Sequence, residues 1–176
     1  MMTRREFIKV AGAGVLAVSC AGMLSGCDVV ESLQDMDFVS VTIGEVKFMV
    51  GSSSYALDGE HHVNFGTDLL IRNKTKSEVT IPASDITGTY YCTIDGKDET
   101  YPMKYDQGNI VAPVTPSNEL PTEIGNFSLT TEAEIPANAV SQKVEFSITY
   151  GGYEAIFAYS MTNDDWILPP KKEKIE

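Results

Sequence analysis

The chain has 176 residues, three of them cysteine, with 13 Lys and Arg against 25 Asp and Glu. Residues 1–26 read as a removable leader; residues 27–176 keep 10 basic and 24 acidic side chains, a formal charge of −14 over 150 residues, a length that suits one domain. That balance excludes nucleic acid, which is bound largely through Lys and Arg on phosphates, and a polybasic membrane contact, while a hydrophobic content of 43% excludes disorder for most of the chain.

The leader opens with Thr3-Arg4-Arg5-Glu6-Phe7-Ile8-Lys9, followed by an apolar stretch, Ile8 to Leu24, that Gly12, Gly14, Ser19 and Gly22 dilute. The stretch falls short of the ~20 apolar residues of a permanent spanning helix. No polar face recurs at helical period in it, so it does not read as the first helix of a globular domain. The motif resembles the twin-arginine export signal, with Arg4 and Arg5 held on the cytoplasmic side. That resemblance implies export of a protein already folded.

Leu24-Ser25-Gly26-Cys27 comes next and resembles a bacterial lipobox. Its chemistry fits the residue types: a thiol accepts the diacylglycerol, and small neighbours let a peptidase close on the backbone. Cleavage would leave Cys27 as the acylated N-terminus. At about 0.8 kcal/mol per buried methylene, two or three acyl chains make a durable anchor. Asp28 is the next residue; in related lipoproteins of two-membrane bacteria, aspartate there goes with retention on the inner membrane. Residues 27–37 are then the lipidated N-terminus and a linker.

Cys20 leaves with the leader and Cys27 is acylated, so Cys92 is the only thiol left and no intramolecular disulfide can form. Cys92 shares one face of an alternating run with Tyr90 and Ile94 and reads as a buried, inert core residue. The only histidines, His61 and His62, are adjacent beyond Asp58-Gly59. Adjacent strand residues point to opposite faces and chelate one ion poorly. Glu60 or Asp68 could add an oxygen, but no metal motif exists, so a solvated turn is expected, with no metal site, no cofactor and no catalytic residue.

From Phe38 the hydrophobic period is mostly two. Val39, Val41 and Ile43 alternate, Gly44-Glu45 breaks the phase at a bulge or tight turn, and Val46, Phe48 and Val50 resume it. Gly51 to Ser54 read as a loop. Val63, Phe65, Leu69 and Ile71 line one face of a long strand, and Val79 and Ile81 continue briefly. Thr89 to Ile94, the turn pair Asp95-Gly96 and a return through Tyr101, Met103 and Tyr105 form a hairpin, with Pro102 placing the return strand at a sheet edge. Residues 106–125 read as loop; Phe127 and Leu129 mark a strand. Val144 to Tyr150, Gly151-Gly152 and Tyr153 to Tyr159 close the series, with Lys143, Glu145, Ser147 and Thr149 outward, the pattern of a sheet wet on one side.

Some seven to nine short strands without a long helix predict an all-β, antiparallel β-sandwich over 38–162. Residues 163–176 are expected to form a C-terminal tail, with Trp166 capping the sandwich and the part from Pro169 charged and mobile.

The run Leu69-Leu-Ile-Arg-Asn-Lys-Thr-Lys-Ser-Glu-Val-Thr-Ile81, with Asp95-Gly-Lys97 and Tyr101, resembles the telokin-like immunoglobulin-fold domain of bacterial lipoproteins, over roughly residues 40–160. Asn73 would bond local backbone at the strand end, and Asp-Gly turns the hairpin. The chain departs from that family at Ile86, where an aromatic is usual, and in its longer 106–125 connection. The resemblance brings no catalytic residues.

The sequence therefore reads as a non-catalytic, membrane-anchored module outside the cytosol that binds an envelope protein or glycan. Loops 51–62 and 106–125 and Tyr90, Tyr91, Tyr101, Tyr105, Tyr150, Tyr153 and Tyr159 are candidate contact surfaces, against the plainer expectation that most of these tyrosines pack laterally. Two other readings are a calcium- or other metal-binding envelope protein, using Asp95, Asp98 and Glu99, and a hydrolase using paired carboxylates such as Asp164 and Asp165. Asn73-Lys-Thr and Asn126-Phe-Ser match glycosylation sequons by chance.

Overall fold

The computed structural model describes residues 38–58, 60–116 and 119–175. Arg4, Arg5, Cys27 and the linker up to residue 37 lie outside them. Strand β1 (Val39–Ile43) turns at Gly44-Glu45 into β2 (Val46–Leu57), with Gly44 at φ 60°. The two-residue turn pairs Ile43 with Val46, which is why the hydrophobic phase shifts there: Val41, Ile43, Val46, Phe48 and Val50 all face the core.

The expected loop at 51–54 is instead strand. β2 continues through it with a register shift between Val50 and Ser53, because β3 (Val63–Asn73) offers it a partner along its whole length. Backbone pairing here overrides the low strand propensity of glycine and serine. Next come β4 (Val79–Ile81), a single 3-10 turn (Ala83–Asp85), β5 (Ile86–Ile94) and β6 (Lys97–Lys104). β7 (Ile110–Ala112) and β8 (Thr122–Thr131) come after them, then β9 (Val140–Tyr150), β10 (Tyr153–Ser160), β11 (Asp165–Trp166) and β12 (Lys171–Lys174).

The strands form one ten-stranded antiparallel sheet in the order β1-β2-β3-β8-β6-β5-β9-β10-β11, with β12 also on β10, and a small β4-β7 pair. β6 meets β8 only at Met103–Thr131 and Lys104–Thr130. At that seam the sheet folds over into two layers, β1-β2-β3-β8 and β6-β5-β9-β10. β1 lies beside β10 and β12, so the sandwich is nearly closed. Its neighbours (β3 with β8, β5 with β9, β9 with β10) are those of immunoglobulin-like sandwiches, where B pairs E, C pairs F and F pairs G. β6 is free along most of one side, as Pro102 predicts.

Eight strands have five residues or more, and β4 is the brief strand expected at Val79 and Ile81; β7, β11 and β12 are the additions. Two expectations are corrected by them. The 106–125 segment holds β7 and the start of β8, since Ile110 and Ala112 find Val79 and Ile81 to pair with. The tail from Pro169 is not free either: Lys171–Lys174 pairs residue by residue with β10 from Ile156 to Tyr153. A lysine-rich strand suits that position, satisfying an edge while presenting charge to solvent.

The core lies between the layers, with Phe48, Phe65, Leu69, Phe127 and Leu129 of one against Tyr90, Phe146, Ile148 and Phe157 of the other. Gly88 is what lets them close near the seam: a Cβ there would lie 3.0 Å from Leu129 Cδ1 and 3.1 Å from Met103 Cβ.

Candidate functional site

Both ends of the sandwich are built from turns in which several polar side chains are committed to the fold. At one end the His61 carbonyl accepts the Ile135 N–H at 2.9 Å and Asn138 donates to Asp95 at 2.9 Å. Thr162 Oγ1 accepts the Gln142 N–H at 3.1 Å. These bonds gather the turns 58–62, 95–96, 132–139 and 161–165. The four turns carry Asp58, Glu60, Asp95, Glu132, Glu134, Asp164 and Asp165 and no Lys or Arg.

Four of these carboxylates, Asp58, Asp95, Asp164 and Asp165, have local tasks. Asp58 Oδ1 accepts the backbone N–H groups of Glu60 and His62, at 2.9 and 2.8 Å. The His62 N–H is the largest of several influences that lower the Asp58 pKa. His62 Nδ1 stands 3.9 Å from Asp58 Oδ2, while His61 sits at φ 65° in the turn. The pair therefore serves a turn, in keeping with the solvated reading. Asp98 accepts from Thr93 at 3.1 Å, Asp164 from the Tyr159 hydroxyl at 2.6 Å, and Asp165 from the Trp166 N–H at 2.8 Å. Among the described residues no three His, Cys, Asp or Glu side chains stand close enough together to hold a metal.

At the other end Asn73, fully buried, organises the 74–78 turn. Its Nδ2 donates to the carbonyls of Ser77 and Ala112, both at 2.9 Å. Its Oδ1 accepts the N–H and hydroxyl of Thr75 at 2.9 and 2.7 Å. The backbone amide and carbonyl of Asn73 each pair with Thr115, tying the 113–116 segment to the strand end. With Nδ2 so committed, Asn73 has no nitrogen to offer a glycan. Lys47, Arg72, Lys74 and Lys76, together with Lys172 and Lys174, lie toward this end.

The tyrosines expected as contact surface are mostly structural, as the plainer expectation has it. Tyr90 is 0%, Tyr159 4% and Tyr105 8% exposed, and Tyr101, Tyr150 and Tyr153 pack partly buried against the core. They alternate with polar neighbours as surface residues would, so sequence could not separate the two roles. Tyr105 stacks on Phe127 at 5.2 Å, and Tyr159 packs on Phe65 and Trp166. Trp166 caps the sandwich as expected, its Nε1 donating to the Gly51 carbonyl at 2.8 Å. Burial pushes the Tyr90 and Tyr159 phenols well above the ordinary value, with Asp164 adding to the effect at Tyr159 and Cys92 and Tyr101 at Tyr90.

Only Tyr91 of the group looks outward from a layer, with Lys143 Nζ 3.9 Å over its ring and 3.4 Å from Glu145. Cys92 is buried, its thiol pushed up by burial and by the nearby Glu99, which leaves it a poor nucleophile. The candidate loop 51–62 shrinks to the turn 58–62, and 106–125 to its stretches outside β7 and β8. Asp164 and Asp165 end up with separate hydrogen-bond partners.

Comparison of the chain with protein-family models, with curated proteins and with solved structures finds no match in any of the three.

Proposed function

We propose that this protein is a membrane-anchored extracytoplasmic lipoprotein whose immunoglobulin-like sandwich is a non-catalytic binding module of a bacterial cell envelope, similar to telokin-like lipoprotein domains. The observation that carries the anchor is the order of the sequence signals: Arg4-Arg5, a weakly apolar stretch, then Leu24-Ser-Gly-Cys27 ahead of a folded domain. The domain's chemistry agrees with that setting. Its one thiol is buried, so nothing in it depends on the redox state outside the cytosol. Asp58, Asp95, Asp98, Asp164 and Asp165 each bond a turn or neighbour of their own, which supports the reading as a binding module.

The end built from the 58–62, 95–96, 132–139 and 161–165 turns is the partner-facing surface in this reading. Its negative field repels polyanions and favours a protein with a cationic face. The test is mass spectrometry of the mature N-terminus together with fractionation of the producing cells. An acylated Cys27 at the new N-terminus, lost to the soluble fraction in Cys27→Ser and held in the cytosol in Arg4→Lys/Arg5→Lys, is the expected result. An intact Met1 N-terminus on a cytosolic chain would falsify the anchor. Crosslinking at the four turns, with identification of the captured protein, addresses the binding role.

A further inference from the structure

Asp95 and Gly96, with φ of 51° and 79°, form a two-residue turn, so Ile94 and Lys97 exchange both of their backbone hydrogen bonds. In an antiparallel ladder every second pair does the same: Cys92 with Glu99, Tyr90 with Tyr101, Gly88 with Met103. The residues between them on β6, Asp98, Thr100, Pro102 and Lys104, therefore aim their backbone polar groups away from β5. On that side Lys104 pairs with Thr130 of β8, and the Pro102 carbonyl accepts the Glu132 N–H at 3.0 Å. There the cover stops. β8 ends at Thr131, and the chain swings across to His61, whose carbonyl takes the Ile135 N–H at 2.9 Å. Asp98 and Thr100, both exposed, are left with no neighbouring strand on this side among the described residues.

We propose that the free edge of β6 at Asp98 and Thr100 is a docking site for an extended, lysine- or arginine-bearing segment of a partner protein, which adds to the sheet as a strand. The proposal rests on the reading of the domain as a binding module and gives that reading a mode of recognition. The N–H and C=O groups of Asp98 and Thr100 offer the main-chain ladder that strand addition uses. Charge selects the guest. Asp98 and Glu99 lie on the edge itself, Asp95 in the turn before it and Glu132 beside Pro102, against Lys97 within the free stretch. Glu99 shares a face with Cys92, and the partly buried Tyr101 follows it on that face. A basic residue set opposite Glu99 thus meets a carboxylate directly and an aromatic ring on the diagonal.

A second copy of β6 is a poor guest. About a two-fold axis, pairing Asp98 with Asp98 or Glu99 with Glu99 opposes like charges. Pairing Thr100 with Thr100 sets Asp98 against Pro102, which has no N–H to give. The edge is guarded against itself and open to a strand that carries positive charge.

The test uses the full chain in a mild, uncharged detergent and an acetylated peptide of alternating lysine and valine. Amide hydrogen exchange is read residue by residue by NMR. Without peptide, the Asp98 and Thr100 amides are expected to exchange fast and those of Glu99 and Tyr101 slowly. Saturating peptide should slow the Asp98 and Thr100 amides roughly tenfold or more. Glu99→Lys, at an exposed position, should weaken peptide binding roughly tenfold. Thr100→Pro, which removes an outward N–H and no bond to β5, should abolish the protection of Asp98. Slow Asp98 and Thr100 amides in the peptide-free chain overturn the proposal, and if dilution frees them a second copy is the cover. Peptide that leaves both amides fast, or binds as well with glutamate in place of lysine, overturns it too. A partner crosslinked at the four turns and held equally by the parent, Glu99→Lys and Thr100→Pro would remove the β6 edge as its seat while the binding-module reading stands.

Discussion

Asn73 shows how much one amide can hold. Its side chain has two donor hydrogens and two acceptor lone pairs, and all four are used, on Ser77, Ala112 and twice on Thr75. The strand end, the 74–78 turn and β7 converge on this one group. Replacing it with alanine strands the Ala112 carbonyl in a buried site and releases the turn. Unfolding in urea should show a loss of about 2–4 kcal/mol for Asn73→Ala with little change in the slope. Asn73→Asp keeps the shape but faces two carbonyls with a carboxylate, so near neutral pH it should cost at least as much. An Asn73→Ala variant as stable as the parent would mean that the turn is held elsewhere. The strand-end asparagine was legible in sequence because its bonds to Thr75 and Ser77 are local; its bond to Ala112 was not. The burial of Tyr90 was not either, since it depends on what lies across the core from it.

Elements divide along the same line. The turns at Gly44-Glu45, Asp95-Gly96 and Gly151-Gly152 are readable because positive φ is a demand on the residue itself: Gly44, Asp95, Gly96, Gly151 and Gly152 all have it. β7, β11 and β12 have no such signal. Each is four residues or fewer, and each exists because a partner strand waits with unpaired backbone. β12 is the sharpest case, a Lys-Lys-Glu-Lys run that composition marks as tail yet pairs along Tyr153 to Ile156. Ending the chain at Leu168 should therefore do more than trim a disordered end. It removes a four-residue ladder and reopens the gap between β10 and β1. The expected loss is about 1–3 kcal/mol, lowering Tm by roughly 2–10 °C, with aggregation through the bared β10 edge. Calorimetry and light scattering on the shortened chain check both. Unchanged Tm would return residues 169–176 to the status of a tail.

At the scale of the whole molecule the acidic excess is unevenly placed. Asp58, Asp95, Glu132, Glu134, Asp164 and Asp165 lie in turns that share one end of the sandwich and hold no basic residue, while Lys47, Lys74, Lys76, Lys172 and Lys174 lie toward the other. Composition reveals the net charge; only the topology, which brings four distant turns together, reveals the polarity. Like charges gathered in this way repel, each exposed contact at a cost of a few tenths of a kcal/mol. Raising salt from about 0.01 M to about 1 M shortens the screening length from about 30 Å to about 3 Å and should relieve that repulsion. The parent's Tm is expected to rise by about 2–4 °C, the equivalent of roughly 1 kcal/mol in a chain of this size. The Glu132 and Glu134 side chains are exposed, so Glu132→Lys/Glu134→Lys changes the field without touching the core. The double variant should start from a higher Tm at low salt and gain less on salt addition. Because salting effects on apolar burial act equally on both chains, the difference between their slopes isolates the electrostatic part. Equal slopes would mean that the clustered carboxylates are too well hydrated to sense one another. The end that repels itself would then have little field to offer a cationic partner, and the binding surface would have to be sought on the outward face around Tyr91 and Lys143.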